Sequence, residues 1–127
     1  MQRNMDLVRE LMLKLEALPV TPGSTVHLVS ESPEVQVEGY VPEQIGYHLL
    51  LISGAGFITR SVKPAPSGIY FRRLTWAGHD FLDSVRSPDV WDRTKQAASA
   101  AGGFTVDLLV FAAKTYLEGK IKGLIGG

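Results

Sequence analysis

The sequence predicts an α+β fold from three observations, all made between Val41 and Val85. Ile45, Leu49 and Ile52 recur at spacings of four and three, which makes one apolar helix stripe, and Gly54 and Gly56 then stop it. Two β-rich runs, residues 57–62 and 69–74, flank a Lys-Pro-Ala-Pro-Ser-Gly turn. Thr75 caps a further helix that carries Trp76, Phe81, Leu82 and Val85. Helix, glycine turn, hairpin and capped helix is the order of a winged helix-turn-helix. Residues 1–86 are read as that domain, and residues 87–127 as a C-terminal two-helix extension that oligomerises.

The remaining elements follow from the same signals. Asn4 or Asp6 suits the cap of a first helix over residues 5–18, with Val8, Leu11, Met12, Leu15 and Leu18 as its stripe and Glu10–Lys14 as a favourable i,i+4 pair. Pro19, Pro22 and Gly23 end it, and it is expected to lie as a scaffold under the central helix. Residues 25–30 and 35–40 each alternate, with Ser-Glu-Ser-Pro-Glu between them. Two short strands in a hairpin are predicted there, because Val, Thr and Tyr suit a pleated surface and Pro33 suits the turn. A standard winged helix usually has its second helix in this region, so the hairpin is a departure that would offer an edge to a partner. Pro42 takes the first position of the central helix, where no N–H partner is needed, and Glu43 sits at the positive end of the dipole. Ser87-Pro88-Asp89 starts a helix that runs to about residue 101, with Val90, Trp91, Ala97 and Ala98 apolar. Gly102-Gly103 breaks it, Thr105 caps a final helix from residue 106 to at least 117, and the KGLIGG end frays.

Two kinds of motif carry a resemblance. HLLLISGAGFI looks like the H-x-x-L-x-x-x-x-G-L-I run that ends the recognition helix of many bacterial winged-helix regulators. The longer runs RNMDLVRELMLKLEAL, GYHLLLISGAGFI and LTWAGHDFLDSVRSPDVWDRTK are similar to an uncharacterised bacterial and phage-borne domain-of-unknown-function family, related to the YjcQ-like winged helices, in register from Arg3 to about Lys95. The resemblance implies the winged-helix fold and a prophage or mobile-element setting. It implies no activity.

Composition narrows the classes. A chain of 127 residues, 45% of them apolar, has room for one domain with a genuine core, or a domain plus a helical extension. Thirteen basic residues balance thirteen acidic ones, so any nucleic-acid site must come from a local patch. The absence of cysteine excludes disulfides, thiol catalysis and Cys-type zinc. The charged, helical start has no signal-peptide core, and the longest apolar run, residues 108–113, is too short to span a bilayer. A cytoplasmic protein without membrane contact is expected.

No Gly-rich phosphate loop, G-x-S-x-G or H-E-x-x-H is present, so no enzyme is expected, and no cofactor. His48, His79 and Asp80 are the only set with a hint of metal chemistry; such residues on separate elements are far more often packing or capping residues, and no metal is expected. Nucleic-acid signals are stronger. Arg60, Lys63, Arg72 and Arg73 cluster on the wing, where arginines hold phosphates or enter the minor groove. Gln44, Tyr47 and His48 would face a groove from the central helix. Against this, no Lys or Arg is on that helix face and Glu43 repels phosphate. The plainer reading packs Tyr47 and His48 against the hairpin and leaves the arginines solvated.

The last helix is apolar nearly all round. Val106, Leu109, Val110, Ala113, Leu117, Ile121 and Leu124 make a broad stripe, and Phe111 falls among Asp107, Lys114 and Glu118. Self-association, as a homodimer or with a partner protein, is expected through Leu108, Phe111, Ala112, Thr115 and Leu117. The plainer alternative folds this helix over the first helix and Trp91, with Phe111 alone exposed. A membrane anchor is less consistent, because the polar face mixes Asp and Glu with Lys. Two functions are expected as alternatives. The first is a non-catalytic DNA-binding regulator of a phage or mobile element, contacting duplex DNA. The second is a protein-interaction or oligomerisation adaptor in a phage–host conflict system, without DNA binding.

Overall fold

A computed structural model describes residues 1–59 and 67–125. Among the described residues the fold is α+β, with five α-helices, one 3-10 turn and a two-stranded antiparallel sheet. The chain divides into two compact units, Met1–His79 and Asp80–Gly127.

In the first unit, α1 spans Met5–Ala17, and Asn4 Oδ1 caps it by accepting from the Leu7 N–H at 3.2 Å. Its buried stripe is Leu7, Val8, Leu11, Met12 and Leu15. Strand β1 follows at Val26–Leu28, then the 3-10 turn at Pro33–Val35, then α2 at Pro42–Gly54, then β2 at Ile69–Phe71. Helix α1 packs on α2 and on the 3-10 turn, and α2 packs on β2. Ile45, Leu49 and Ile52 of α2 are buried, as are Phe57, Ile58 and Leu74.

The early hairpin expected from residues 25–30 and 35–40 does not form. Strand β1 pairs instead with β2, in the register Val26 to Phe71, His27 to Tyr70 and Leu28 to Ile69. Local hydrogen bonds explain why the second run is not a strand. The Ser32 hydroxyl accepts from the Val29 N–H at 2.9 Å, and Gln36 Nε2 donates to the carbonyls of Ser30 and Ser32 at 2.8 and 2.9 Å. These bonds compete with a ladder and curl the chain around Pro33. Val35 is buried from the turn. The sheet keeps one buried face, with Leu28, Ile69 and Phe71, while His27 and Tyr70 pair outside at 4.8 Å between ring centroids.

The run predicted as strand at residues 57–62 is described only in part. Ile58 makes an isolated antiparallel bridge to Leu74; residues 60–66 lie outside the described residues. Helix α3, Trp76–Val85, begins as expected at Thr75. The Thr75 N–H donates to the Phe57 carbonyl at 3.0 Å, and its Oγ1 donates to the Gly56 carbonyl while accepting from the Gly78 N–H at 3.1 Å. Thr75 thus ties the start of α3 to the end of the α2 connection. A side chain on Gly78 would run into the Phe57 carbonyl oxygen, so only glycine fits this approach.

The second unit holds α4, Pro88–Ala100, and α5, Val106–Ile125, packed against each other. Phe81 and Leu82 of α3 are buried, as are Val90, Trp91 and Ala98 of α4. The Tyr116 hydroxyl donates to Asp89 Oδ2 at 2.9 Å, and Lys120 Nζ lies 3.8 Å from the same oxygen. Helix α5 buries less than its sequence stripe suggests. Leu109 and Ala113 are its buried residues, whereas Leu124 is 86% exposed. No helix is long and apolar enough to cross a membrane among the described residues.

Candidate nucleic-acid interface

Helix α2 presents only part of the face expected of it. Its outward residues are Glu43, Tyr47 and Leu50, with Val41 just before it. Gln44 is half-buried, and its Oε1 accepts from the Val41 N–H at 3.0 Å, which closes the start of the helix. His48 does not face a groove. It is 1% exposed, and both ring nitrogens are occupied. Nε2 accepts from the backbone N–H of Asn4 at 2.8 Å, which leaves Nδ1 to donate to the Gln44 carbonyl at 2.7 Å. His48 therefore joins the cap of α1 to α2, and is a structural residue. Its replacement by Ala should cost about 1–3 kcal/mol in a denaturant titration, because the Asn4 N–H loses its partner.

The side that carries Arg72 and Arg73 is different. Arg72 and Arg73 are exposed, and their backbone is held from both sides. The β1–β2 ladder ends at Phe71, and the Arg73 carbonyl accepts from the Thr59 N–H at 3.1 Å beside the Ile58–Leu74 bridge. The arginines thus project from fixed backbone, so that binding has to order only their side chains. Arg60 and Lys63 lie outside the described residues. Trp76 is 85% exposed, three residues after Arg73. It belongs to the apolar set that the sequence assigns to its helix, yet it does not join the others in the core. The signal for this is in the spacing: Trp76 and the buried Val85 are nine residues apart, two and a half helical turns, so they lie on opposite faces.

Charge is also segregated along the chain in a way that the neutral total conceals. No Lys or Arg stands between Lys14 and Arg60, and no Asp or Glu stands between Glu43 and Asp80. Glu31, Glu34, Glu38 and Glu43 lie around the 3-10 turn and the start of α2, none of them buried. Beyond α1, the Lys and Arg residues of the first unit are Arg60, Lys63, Arg72 and Arg73. His48 is buried and His79 exposed, and the described residues contain no group of three or more His, Asp or Glu side chains placed to hold a metal ion.

The expected oligomer residues divide. Phe111 is 70% exposed and Leu108 37%, and Thr115 is exposed with its hydroxyl donating to the Phe111 carbonyl at 2.9 Å. Ala112 and Leu117 are half-buried. Phe111, Ala112 and Thr115 line an open groove of about 580 Å³ against Arg93, Gln96 and Ala97 of α4; Leu117 does not line it.

Comparison with known proteins places the chain by descent. Residues 2–104 match the family described as "Hypothetical protein (DUF2513)", so the match ends just before α5. An "Uncharacterized protein" of Haemophilus influenzae is 34% identical over 97 residues, which cover 75% of this chain and 76% of that protein. No solved structure matches. With most of its length inside the family match and a relative of this similarity, the chain belongs to the DUF2513 family.

Proposed function

We propose that the protein is a non-catalytic winged-helix module that contacts duplex DNA through the wing and the start of α3, with α2 as support. The exposed set Arg72, Arg73 and Trp76, in a stretch without acidic residues, is the observation that carries this reading. Arginines there would hold phosphates, and an exposed indole can stack on a base or wedge a base step. The strand order supports the fold half of the proposal. Strand β1, between the first two long helices, pairs with β2, which leads into the 58–74 bridge; a winged helix whose usual second helix is reduced to the 3-10 turn would have this order. A regulator carried by a phage or mobile element fits such a module.

The test is a gel shift on random duplex DNA across a salt series. Arg72→Ala and Arg73→Ala should each weaken binding to all sequences and flatten the salt slope by about one unit. Trp76→Ala should weaken binding about tenfold with an unchanged slope, since stacking releases no counterions. Unchanged binding in the double arginine variant would remove the wing from the mechanism.

A second reading is favoured by α2. Val41, Tyr47 and Leu50 are 53%, 37% and 55% exposed, with Glu43 beside them and no cation on the helix. That face suits a protein partner, as in an adaptor of a phage–host conflict system. Absence of duplex binding at low salt would decide for it.

A further inference from the structure

We propose that two copies of this chain associate through α5, packed antiparallel on its counterpart about a twofold axis close to Phe111. Helix α5 leaves apolar surface exposed beside its contact with α4. Leu109 and Ala113 are fully buried, while Leu108, Phe111 and Thr115 run along the opposite side and are exposed. Phe111, in the middle of this 20-residue helix, stays 70% exposed after α5 has packed on α4.

The same surface holds a matching depression. Ala97 and Ala112 line the groove beside Phe111, and their small side chains let another chain approach closely. A ring and a depression adjacent on one surface are what a twofold contact needs, since each copy fills the other. Phe111 of each protomer would lie in the other's groove.

Charge favours a second copy in this orientation over an unrelated partner. Asp107 and Lys114 are both exposed, and neither has an ion pair among the described residues. They are seven residues apart, two turns, so they share one flank of the helix, with Phe111 between them. In an antiparallel pair, a flank meets the same flank of the other helix running backwards. A twofold axis near Phe111 therefore sets Asp107 of each protomer against Lys114 of the other, making two ion pairs. A parallel twofold pairing would carry this flank to opposite edges of the interface in the two protomers, and neither ion pair would form. This inference does not depend on nucleic-acid binding.

Sedimentation equilibrium of the full chain without DNA tests it, with far-ultraviolet circular dichroism as the check of folding. The wild type should be a dimer in the micromolar range, and Phe111→Asp should be a monomer of unchanged helix content. Lys114→Asp, at an exposed position that folding does not need, should weaken association about tenfold by placing Asp107 against aspartate twice. The double exchange Asp107→Lys with Lys114→Asp should recover wild-type association, because it restores both pairs with reversed sign. A monomeric wild type at high micromolar concentration would overturn the proposal, as would a trimer or larger assembly. Failure of the double exchange to recover what Lys114→Asp loses would overturn the antiparallel arrangement.

Discussion

Gly78→Ala should destabilise the first unit by on the order of 3 kcal/mol, against the direction that helix propensity alone demands. Alanine is the better helix former by about 1 kcal/mol, and Gly78 lies within α3. The opposing force is a backbone contact. A Cβ at this position meets the carbonyl oxygen of Phe57, and that oxygen is held in place by the Thr75 N–H at 3.0 Å. The carbonyl cannot turn away without breaking this bond, and the next carbonyl back, at Gly56, is held by the Thr75 hydroxyl. Either α3 lifts off the connection or the cap is lost. Gly54→Ala is the matched control. It lies at the end of α2, and a Cβ there would meet no other atom within 4 Å, so it should be neutral or stabilise by up to about 1 kcal/mol. Urea titrations of the two variants give the comparison directly. A stabilised Gly78→Ala would mean that α3 does not approach Phe57 closely.

Leu49→Ala should cost about 2–5 kcal/mol, whereas Leu50→Ala, one residue on, should stay within about 0.5 kcal/mol. Leu49 is fully buried and Leu50 is 55% exposed. The hydropathy of the two residues is the same, so the contrast measures the rotation of α2 and nothing else. Truncating Leu49 removes transfer energy and leaves a cavity among neighbours that relax only partly. Truncating Leu50 removes a side chain that already faces water. The shift in denaturation midpoint at constant slope reports each cost. Equal costs would show that α2 is turned differently on its core, and would also change which residues it offers to a partner. Leu50→Ala has a second use, since it tests the adaptor reading without disturbing the fold.

Much of the architecture was legible along the chain because helices are stabilised locally. The starts at Asn4, Thr75, Ser87 and Thr105 each rest on a side-chain oxygen reaching a backbone N–H three residues ahead. Such bonds depend on a few consecutive residues, so the sequence is enough to read them. The apolar stripes of α1 and α2 were legible for the same reason. Their periodicity selects one inward face whatever lies opposite.

The pairing of residues 57–62 with 69–74 was legible as far as the Ile58–Leu74 bridge shows it, but the partner of β1 was not. Alternation at residues 25–30 says that a strand is possible there, yet its partner is set by which edge the folded chain brings near. Here the partner is about forty residues away, at Ile69–Phe71. The nearer run was taken out of competition by Ser32 and Gln36, whose bonds curl it into a turn. His48 shows the same limit at one residue. Its sequence neighbours placed it on a helix, but only the approach of the α1 cap made it the acceptor for Asn4 and so buried it. Trp76 is the converse: an apolar residue that none of the described elements covers. The sequence by itself determined the helices, their caps and the charge blocks, because these depend on bonds within a turn or on composition. Only the tertiary structure decided the partner of β1 and the burial of His48, because each depends on what arrives from a distant part of the chain.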